Sequence, residues 1–319
     1  MKFELIIQNG DHIYIPVVPD GATWTTNRKS SPGKLTFTVI KDDVINFTEG
    51  NQVRLTINDK NLFLGYIFSQ KRDKKQQIDV TAYDQLRYLC NKDTRVYYNK
   101  TASDVIKKIA SDFDLELGTI EQTEYKIAFR SEDNTSLLDI IYNALDLELK
   151  NKKKRYVLYD DFGKLVLKSQ DSMKIDLLID ETAGENFDYT SSIDEKTYNT
   201  IKLTAQNDKS HKREIYMAKD INNIDKWGVL QLSDTYQDGE NGQAKADALL
   251  NLNNVKTRRL KITNALGDVR VRAGCGVYVK LALGDVSVNT YMLVEQCVHK
   301  FNESEHWMDL TLRGDGFVG

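Results

Sequence analysis

The stretch GNQVRLTI at residues 50–57 recurs near the other end of the chain as GCGVYVKL at residues 274–281. In both stretches a glycine precedes three apolar residues at every second position, which is the pattern of a half-buried β-strand. The neighbouring strand patterns recur in the same order: residues 35–39, 62–68 and 78–84 around the first stretch, and residues 260–262, 291–301 and 308–312 around the second. The sequence therefore predicts two copies of one small β-unit.

The spacing within the two copies also agrees. Leu35 precedes Gly50 by 15 positions, and Leu260 precedes Gly274 by 14 positions. A chain with two like units can present, as a trimer, six similar faces to a sixfold partner and three faces to a threefold partner. The repeat therefore favours a protein that works by assembly.

Length and composition indicate an ordinary globular protein with more than one core. The chain has 319 residues, of which 40% are hydrophobic and 29% are charged, whereas a single domain usually contains about 100 to 150 residues. No apolar stretch approaches the roughly 20 residues that cross a bilayer, and the first residues lack the apolar segment of a signal peptide. We therefore expect no membrane partner and folding in the cytoplasm. The net charge of −3 argues against a dedicated nucleic-acid binder.

Periodicity divides the chain into three parts and predicts an α+β fold that is mainly β. Residues 1–96 alternate throughout and are predicted to close into a first β-barrel unit. Residues 97–175 contain two helical patterns and one hairpin pattern, which predict an α+β insert. Residues 176–319 return to alternation around one helix and are predicted to form a second, similar β-barrel unit.

Local signals define the helices and the hairpin of these parts. Thr101, with Asp104 three residues later, is an N-cap signature that precedes an apolar helical stripe. The pair at 134–135, Asn-Thr, announces a second helix. A tight turn at residues 160–163 predicts a hairpin, and residues 242–253 have the composition of a third helix.

The cysteines and histidines point to no redox or metal chemistry. The three cysteines are odd in number and have no C-x-x-C spacing, so neither a disulfide framework nor a structural zinc site is predicted. Cys297, His299 and His306 would share one face of a hairpin that turns at residues 302–305, but a fourth zinc ligand has no candidate. We predict that these side chains pack in a half-buried sheet, with no metal and no cofactor.

Carboxylates at Asp160, Asp161 and Glu148 leave open an alternative class of function, a peptidoglycan-acting enzyme. The aspartates, however, lie at a predicted turn, where aspartate is common because its side chain binds nearby backbone amides. The chain has no G-x-S-x-G, H-E-x-x-H, Walker or G-x-G-x-x-G motif. We therefore predict no enzymatic activity and no catalytic residues. A ligand-binding β-protein is a third alternative, which the even spread of the 16 tyrosines does not favour.

Four residues are predicted to contact partner proteins. Lys71 and Arg72 lie in a basic run at the turn of the longest hairpin of the first unit, which would project from it. Trp24 and Trp307 are among the largest apolar side chains, and Trp307 faces away from its neighbour His306 on the strand. An exposed tryptophan usually marks a protein contact, and burial in a core is the competing interpretation.

The strand and turn residues resemble those of the XkdQ/YqbQ family over nearly the whole chain. The stretches that carry the resemblance are residues 64–67, 78–86, 198–201, 267–274, 294–301 and 308–312, together with the helical insert. The resemblance implies a central hub of contractile phage tails and of tail-like injection particles. It also implies a fold similar to the baseplate hubs of myophages and to part of the hub-spike proteins of type VI secretion systems.

The same resemblance implies a structural homotrimer that acts as a symmetry adaptor. In such hubs two barrel units per chain make a pseudo-hexameric ring, which continues the hexameric tail tube on one side and seats a trimeric spike on the other. The implied partners are further copies of the chain, the tail tube protein, the spike protein, and tape-measure and LysM-type baseplate proteins. DNA is implied only as cargo in the lumen of the ring, if the particle is a phage. Such a hub is assembled in the bacterial cytoplasm and becomes part of the baseplate of the particle.

Overall fold

The structure is a computed structural model, and it describes residues 1–194, 196–206, 213–236, 241–283, 286–302, 304–314 and 317–318. The chain forms two compact units. The first unit is built mainly from Met1–Asp188 and Leu260–Leu312, and the second is built mainly from Tyr189–Arg259. Both predicted copies of the repeat therefore contribute most of their strands to the first unit, and the second unit is an insertion in the sequence of the C-terminal copy.

Strands dominate the described residues. The N-terminal strands are β1 (Phe3–Asn9), β2 (His12–Tyr14), β3 (Ala22–Asn27), β4 (Lys34–Ile40), β5 (Gln52–Ile57), β6 (Lys60–Arg72) and β7 (Gln77–Tyr83). Then come a 3-10 helix (Gln85–Cys90), β8 (Lys92–Lys100), α1 (Ala102–Asp112), β9 (Leu117–Ile120), β10 (Ile127–Ser136), α2 (Leu137–Lys152), β11 (Tyr156–Asp160), β12 (Leu165–Ser169) and a 3-10 helix (Gln170–Met173). The remaining elements are β13 (Lys174–Ile179), β14 (Asn186–Ser192), β15 (Thr200–Gln206), β16 (Arg213–Lys219), α3 (Ile221–Trp227), β17 (Gln231–Thr235), α4 (Gly242–Asn253), β18 (Thr257–Leu266), β19 (Gly276–Leu283), β20 (Val286–Phe301), β21 (His306–Arg313) and β22 (Phe317–Val318).

The two copies of the repeat have the same strand connectivity. The strands of the first copy are ordered β4-β7-β6-β5, and those of the second copy are ordered β18-β21-β20-β19. In each copy the first strand thus pairs with the fourth, the fourth with the third, and the third with the second. The repeat that the sequence predicts is therefore also a repeat of topology.

One flanking strand extends each end of each copy. β3 pairs with β4 and β1 pairs with β5 in the first copy, whereas β14 pairs with β18 and β13 pairs with β19 in the second. The two copies differ in the direction of one flanking strand, because β1 runs antiparallel to β5, whereas β13 runs parallel to β19. Each copy is thus a unit of six strands.

The two copies are joined in one continuous sheet. β3 runs antiparallel to β20, from the pair Asn27–Gln296 to the pair Ala22–Phe301. In the sheet of 14 strands that the described residues form, eleven follow the open order β14-β18-β21-β20-β3-β4-β7-β6-β5-β1-β2, while β19 and β22 pair with β20 and β13 pairs with β19. Because this order does not close on itself, closure of each copy into a barrel stays a prediction.

The insert follows the local signals of the sequence. Thr101 and Asp104 form the predicted capping box at the start of α1, and β11 and β12 form the predicted antiparallel hairpin. The second helix, which the Asn-Thr pair at 134–135 announces, is α2, and it begins at Leu137. Thr135 pairs with Asp93 in the ladder between β10 and β8, and Ser136 caps α2 by accepting a hydrogen bond from the backbone N–H of Asp139. Ladder pairing outweighs the capping tendency of the Asn-Thr pair at this point.

The second unit is a small α+β fold. β15 lies between β16 and β17, and its core contains Ile201, Leu203 and Leu249. The predicted third helix, α4, spans the expected residues, whereas α3 was not predicted. α3 has only seven residues and buries none of them, so its short apolar pattern of Ile221, Ile224 and Trp227 is a weak helix signal. None of the helices in the described parts of the chain is long and apolar enough to span a membrane.

Candidate assembly interface

The pairing of β3 with residues 296–301 of β20 joins the two copies, and we call it the seam. Its register alternates buried and half-buried residues along β3, which places Ala22, Trp24 and Thr26 in the interior. The Thr26 hydroxyl accepts a hydrogen bond of 3.0 Å from the backbone N–H of Ala273. The seam therefore holds the C-terminal copy by its backbone and by side chains below the sheet.

An ion pair closes one end of the seam. The Arg28 guanidinium donates from Nε and Nη2 to the two carboxylate oxygens of Glu295, at 2.7 and 3.0 Å. The backbone N–H of Arg28 donates to the Glu295 carbonyl at 2.9 Å, and the Tyr142 hydroxyl of α2 donates to the Arg28 carbonyl at 3.0 Å. Two-point pairing of guanidinium and carboxylate fixes orientation as well as charge. This pair thus fixes the register of the seam and connects it to the insert.

Trp24 lies in the interior of the seam. Its side chain is only 4% exposed and its ring stacks on that of His299, with the ring centroids 5.2 Å apart. His299 also stacks on Phe301, at 5.6 Å. Burial in a core is therefore the correct one of the two interpretations for Trp24. Its buried side chain leaves no surface that a partner protein could contact.

A hydrogen-bonded chain runs from Cys297 through His299 to His306, as the predicted hairpin geometry requires. Nε2 of His299 lies 2.8 Å from the carbonyl oxygen of Val271 and 3.2 Å from the Cys297 sulfur. Since a carbonyl only accepts, Nε2 carries the proton, and Nδ1 of His299 accepts from Nε2 of His306 at 2.8 Å. The lone pair that a metal ion would need on His299 is thus engaged by a neighbouring side chain.

Both histidines are held in the neutral form. Burial lowers the pKa of His299 to about 3 and the pKa of His306 to about 4, from the ordinary value of 6.5. In the unfolded chain these groups regain their ordinary pKa. The unfolded state therefore binds more protons below pH 6.5, and the free energy of unfolding decreases as the pH falls from 6.5 towards 4.

A pH titration of stability tests this arrangement in the variant His306→Gln. Glutamine keeps an N–H donor for His299 but does not titrate, so we expect the loss of stability between pH 6.5 and pH 4 to be smaller than in the wild type. Urea unfolding at several pH values measures it, and carboxyl groups that titrate in the same range cancel in the difference. An unchanged pH dependence would contradict the assignment.

A second cluster connects the insert to both copies. The Arg272 guanidinium lies 4.0 Å from the ring centroid of Tyr159 and 5.8 Å from that of Trp24, and its Nη2 donates to the Asp160 carbonyl at 2.7 Å. Burial raises the pKa of the Asp160 carboxyl to about 6 and raises the pKa of Asp84 as well. Asp84 accepts from two backbone N–H groups, those at positions 33 and 86. These contacts hold three segments of the first unit together.

The carboxylates that suggested an enzyme bind backbone amides. Asp160 accepts from the N–H of Gly163 at 2.8 Å within the hairpin turn, as the turn interpretation predicts. Glu148 is fully buried and accepts from the N–H groups at positions 124 and 125, at 3.1 and 2.7 Å. Asp161 is exposed beside the same turn. Each buried carboxylate thus stabilises a loop that would otherwise leave amides unpaired.

The remaining predicted interface residues lie on the surface or partly on it. Lys71 and Arg72 are exposed at the end of β6, where the hairpin with β7 turns. Trp307 is half-buried, and its indole N–H donates to Glu305 at 3.2 Å. No hydrogen bond or ring contact among the described residues joins Trp307 to the basic pair. The interface role of these residues stays a prediction.

Sequence reasoning missed the seam itself. Arg28 and Glu295 are 267 positions apart, and neither lies in a pattern that marks a contact. The available signal was the alternation of Ala22, Trp24 and Thr26, which is that of a strand with one buried face. That signal predicts the strand, but it does not name its partner.

The fold is shared with phage tail proteins of known structure. The tail protein from Neisseria meningitidis MC58 superposes with a TM-score of 0.72, at 13% identity over 99% of this chain and 98% of that chain. The E. coli c3393 protein, a component of the type VI secretion system with structural similarity to the T4 bacteriophage tail proteins gp27 and gp5, superposes with a TM-score of 0.55. That match has 12% identity and covers 97% of this chain and 76% of the other. The architecture thus defines a protein with a phage tail protein fold.

The chain belongs to the YQBQ-like family, which matches residues 22–313. Its sequence is 27% identical over 312 residues to the phage-like element PBSX protein XkdQ of Bacillus subtilis strain 168, covering 95% of this chain and 94% of the relative. The family resemblance predicted from the strand and turn residues is confirmed.

Proposed function

We propose that this protein is the structural hub of a contractile phage tail or tail-like injection particle, and that it works as a homotrimeric symmetry adaptor without enzymatic activity. The observation that carries the proposal is the repeat. The two copies of the repeat have the same strand connectivity and lie in one sheet, joined by the seam. The family membership and the tail protein fold are consistent with this role.

Symmetry gives the repeat its use. Three chains, each with two copies of the repeat, place six similar surfaces around an axis. The insert and the second compact unit occur once per chain and therefore appear three times. A ring of this kind meets a hexameric tail tube through the repeated units and a trimeric spike through the parts that occur once. It leaves a lumen, through which DNA passes if the particle is a phage.

Exposed apolar side chains on the insert support an assembly role. Val96 and Tyr98 of β8 and Phe129 of β10 are exposed on a ribbon of two strands, and the Tyr98 and Phe129 ring centroids lie 5.0 Å apart. Contiguous exposed apolar surface usually marks a contact with another protein. We assign this ribbon to a contact with a tail component.

A second exposed apolar stretch lies near the N-terminus. Ile13, Ile15 and Val17 are all exposed, and β2, to which Ile13 belongs, stands at one end of the strand order of the described residues. An exposed apolar edge strand is prone to pair with another chain unless a partner covers it. We infer that tube, spike, tape-measure or LysM-type baseplate proteins cover such surfaces, and that assembly occurs in the bacterial cytoplasm.

The mass of the oligomer that the purified chain forms tests the proposal directly. Sedimentation equilibrium and native mass spectrometry of the full-length chain are expected to give three times the chain mass of 36.6 kDa. The trimer is then expected to bind the tail tube protein and the spike protein of the same particle at separate faces. A chain that stays monomeric at high concentration and in the presence of both partners would contradict the adaptor.

A further inference from the structure

Backbone hydrogen bonds align the third strands of the two copies residue by residue. In the first copy Ile67 accepts from and donates to the backbone of residues 50–51, at 2.8 and 2.9 Å. In the second copy Val294 makes the same two bonds with residues 274–275, at 2.8 and 2.9 Å. Ile67 of β6 therefore occupies the position of Val294 of β20.

This alignment shows that, among the described residues, the end of β20 in the second copy has a strand paired on each edge, whereas the corresponding end of β6 in the first copy has a strand on one edge only. Residues 296–301 of β20 pair with β3 at the seam, on the edge that β19 occupies further back. Their counterparts begin at Ser69 of β6. Residues 69–72 pair with β7 on one side, and no strand of the described residues pairs with them on the other.

In the second copy, the described strand that lacks an outer partner is β14. β14 holds the position of β3, since it pairs with the first strand of its copy, yet it stands at the end of the strand order of the described residues. The chain thus contains one completed seam between its two copies. It also contains the two halves of a second seam, residues 69–72 of β6 and residues 188–191 of β14.

We propose that residues 188–191 of β14 in one chain pair antiparallel with residues 69–72 of β6 in a second copy of this chain, repeating the seam between chains. This inference rests on the proposed trimer and specifies its contact. Each copy then uses its β3 or β14 edge on one side and its β6 or β20 edge on the other. A head-to-tail contact closes into a ring when its rotation divides a full turn, and the proposed ring of three chains and six copies requires a rotation of about 60° per copy.

The register within the second copy identifies the residues that meet. The N–H of Glu185 donates to the Thr263 carbonyl at 3.0 Å, and continuing this antiparallel register towards β14 places Asp188 opposite Leu260. In the first copy Leu35, the counterpart of Leu260, lies opposite Trp24, which pairs with His299 at the seam.

His299 corresponds to Arg72 when the alignment of β20 with β6 is continued from Val294 and Ile67. The new seam therefore brings Asp188 of one chain opposite Arg72 of the next, with Lys71 as its neighbour. All three side chains are exposed in the single chain. Opposite charges across strands stabilise a pairing, and the existing seam has its own ion pair between Arg28 and Glu295.

Disulfide trapping tests the contact in the full-length chain. The double variant Arg72→Cys with Asp188→Cys, and a second one with Lys71→Cys in place of Arg72→Cys, cover both faces of β6. Directly opposed strand positions lie within the range that a disulfide spans. We expect one of the two to form linked trimers under mild oxidation, at least tenfold more than the control pair Lys60→Cys with Asp188→Cys. Lys60 is equally exposed but lies at the far end of β6, where it pairs with β5.

The outcomes separate this inference from the proposed function. Linked trimers in one acceptor variant support both. Unlinked trimers, or links as frequent in the control as in the test variants, overturn the inference and leave the trimeric hub intact. Monomers in every variant and in the wild type overturn the proposed function, and the inference with it. Single-cysteine variants show how much linkage the native Cys90, Cys275 and Cys297 contribute.

A charge exchange provides a second, independent measurement. Asp188→Arg is expected to weaken trimer formation at least tenfold, and combining it with Arg72→Asp is expected to restore most of it. Sedimentation velocity of the full-length variants measures both effects. Failure of the second substitution to restore assembly, in variants with wild-type circular dichroism, would contradict the pairing of these residues.

Discussion

Trp24→Ala is expected to lower the free energy of unfolding of the first unit by about 3 to 5 kcal/mol, as truncation of a buried aromatic side chain does. The loss is large because Trp24 is buried at the seam and stacks on His299, with the Arg272 guanidinium 5.8 Å from its ring. Truncation leaves a cavity that the rigid backbone pairing of β3 cannot fill. Urea unfolding followed by circular dichroism measures the effect.

Trp307→Ala is the matched control, because it removes the same side chain from a half-buried position. We expect a loss of about 1 kcal/mol, since little apolar surface returns to water. Equal losses in both variants would contradict the placement of Trp24 in the core and of Trp307 in a half-buried position. A large loss of partner binding in Trp307→Ala alone would support its predicted interface role.

Gly21→Ala is expected to disrupt the seam at its other end. Gly21 has a φ of +70°, and a Cβ at this position would lie 1.7 Å from the backbone carbonyl oxygen of Phe301. A side chain cannot move aside from a backbone atom, so the start of β3 must separate from the end of β20. We expect a loss of about 3 kcal/mol or more, or no soluble folded protein.

Gly10→Ala separates this clash from the strain of a positive φ. Gly10 has a φ of +59°, and nothing lies within 4 Å of a Cβ built there. Alanine in this conformation is expected to reduce stability by only about 1 to 2 kcal/mol. Thermal unfolding of both variants gives the comparison, and a Gly21→Ala protein as stable as Gly10→Ala would show that the seam tolerates displacement at Phe301.

The repeat could be predicted from the sequence because each strand has its own alternation. Residues 50–57 and 274–281 keep one face apolar, and the four strands of each copy keep the same order along the sequence. The same holds for α1, since its capping box depends only on Thr101 and Asp104. These features depend on contacts between residues that are close in sequence.

The parts that could not be predicted depend on distant contacts. The seam pairs residues 22–27 with residues 296–301, and no local pattern distinguishes this pairing from another strand match. The insertion of a compact unit between β14 and β18 was hidden for the same reason. The size of Trp24 marks it in the sequence as an interface candidate, whereas the partner strand that buries it leaves no local signal.

The prediction of the interface followed the same division. A basic run at a hairpin turn marks Lys71 and Arg72 locally, and the structure adds a reason for their position. They lie on the edge of β6 that corresponds to the docking edge of β20. Asp188, the residue proposed to face them, carries no local signal because it lies in an ordinary polar strand.

A three-dimensional reconstruction of the purified full-length oligomer tests the central claim most directly. The account predicts three chains around one axis, with six copies of the strand unit at intervals near 60° and β14 of each chain beside β6 of the next. Another number of chains, or two copies in each chain that are not related by such a rotation, would contradict it.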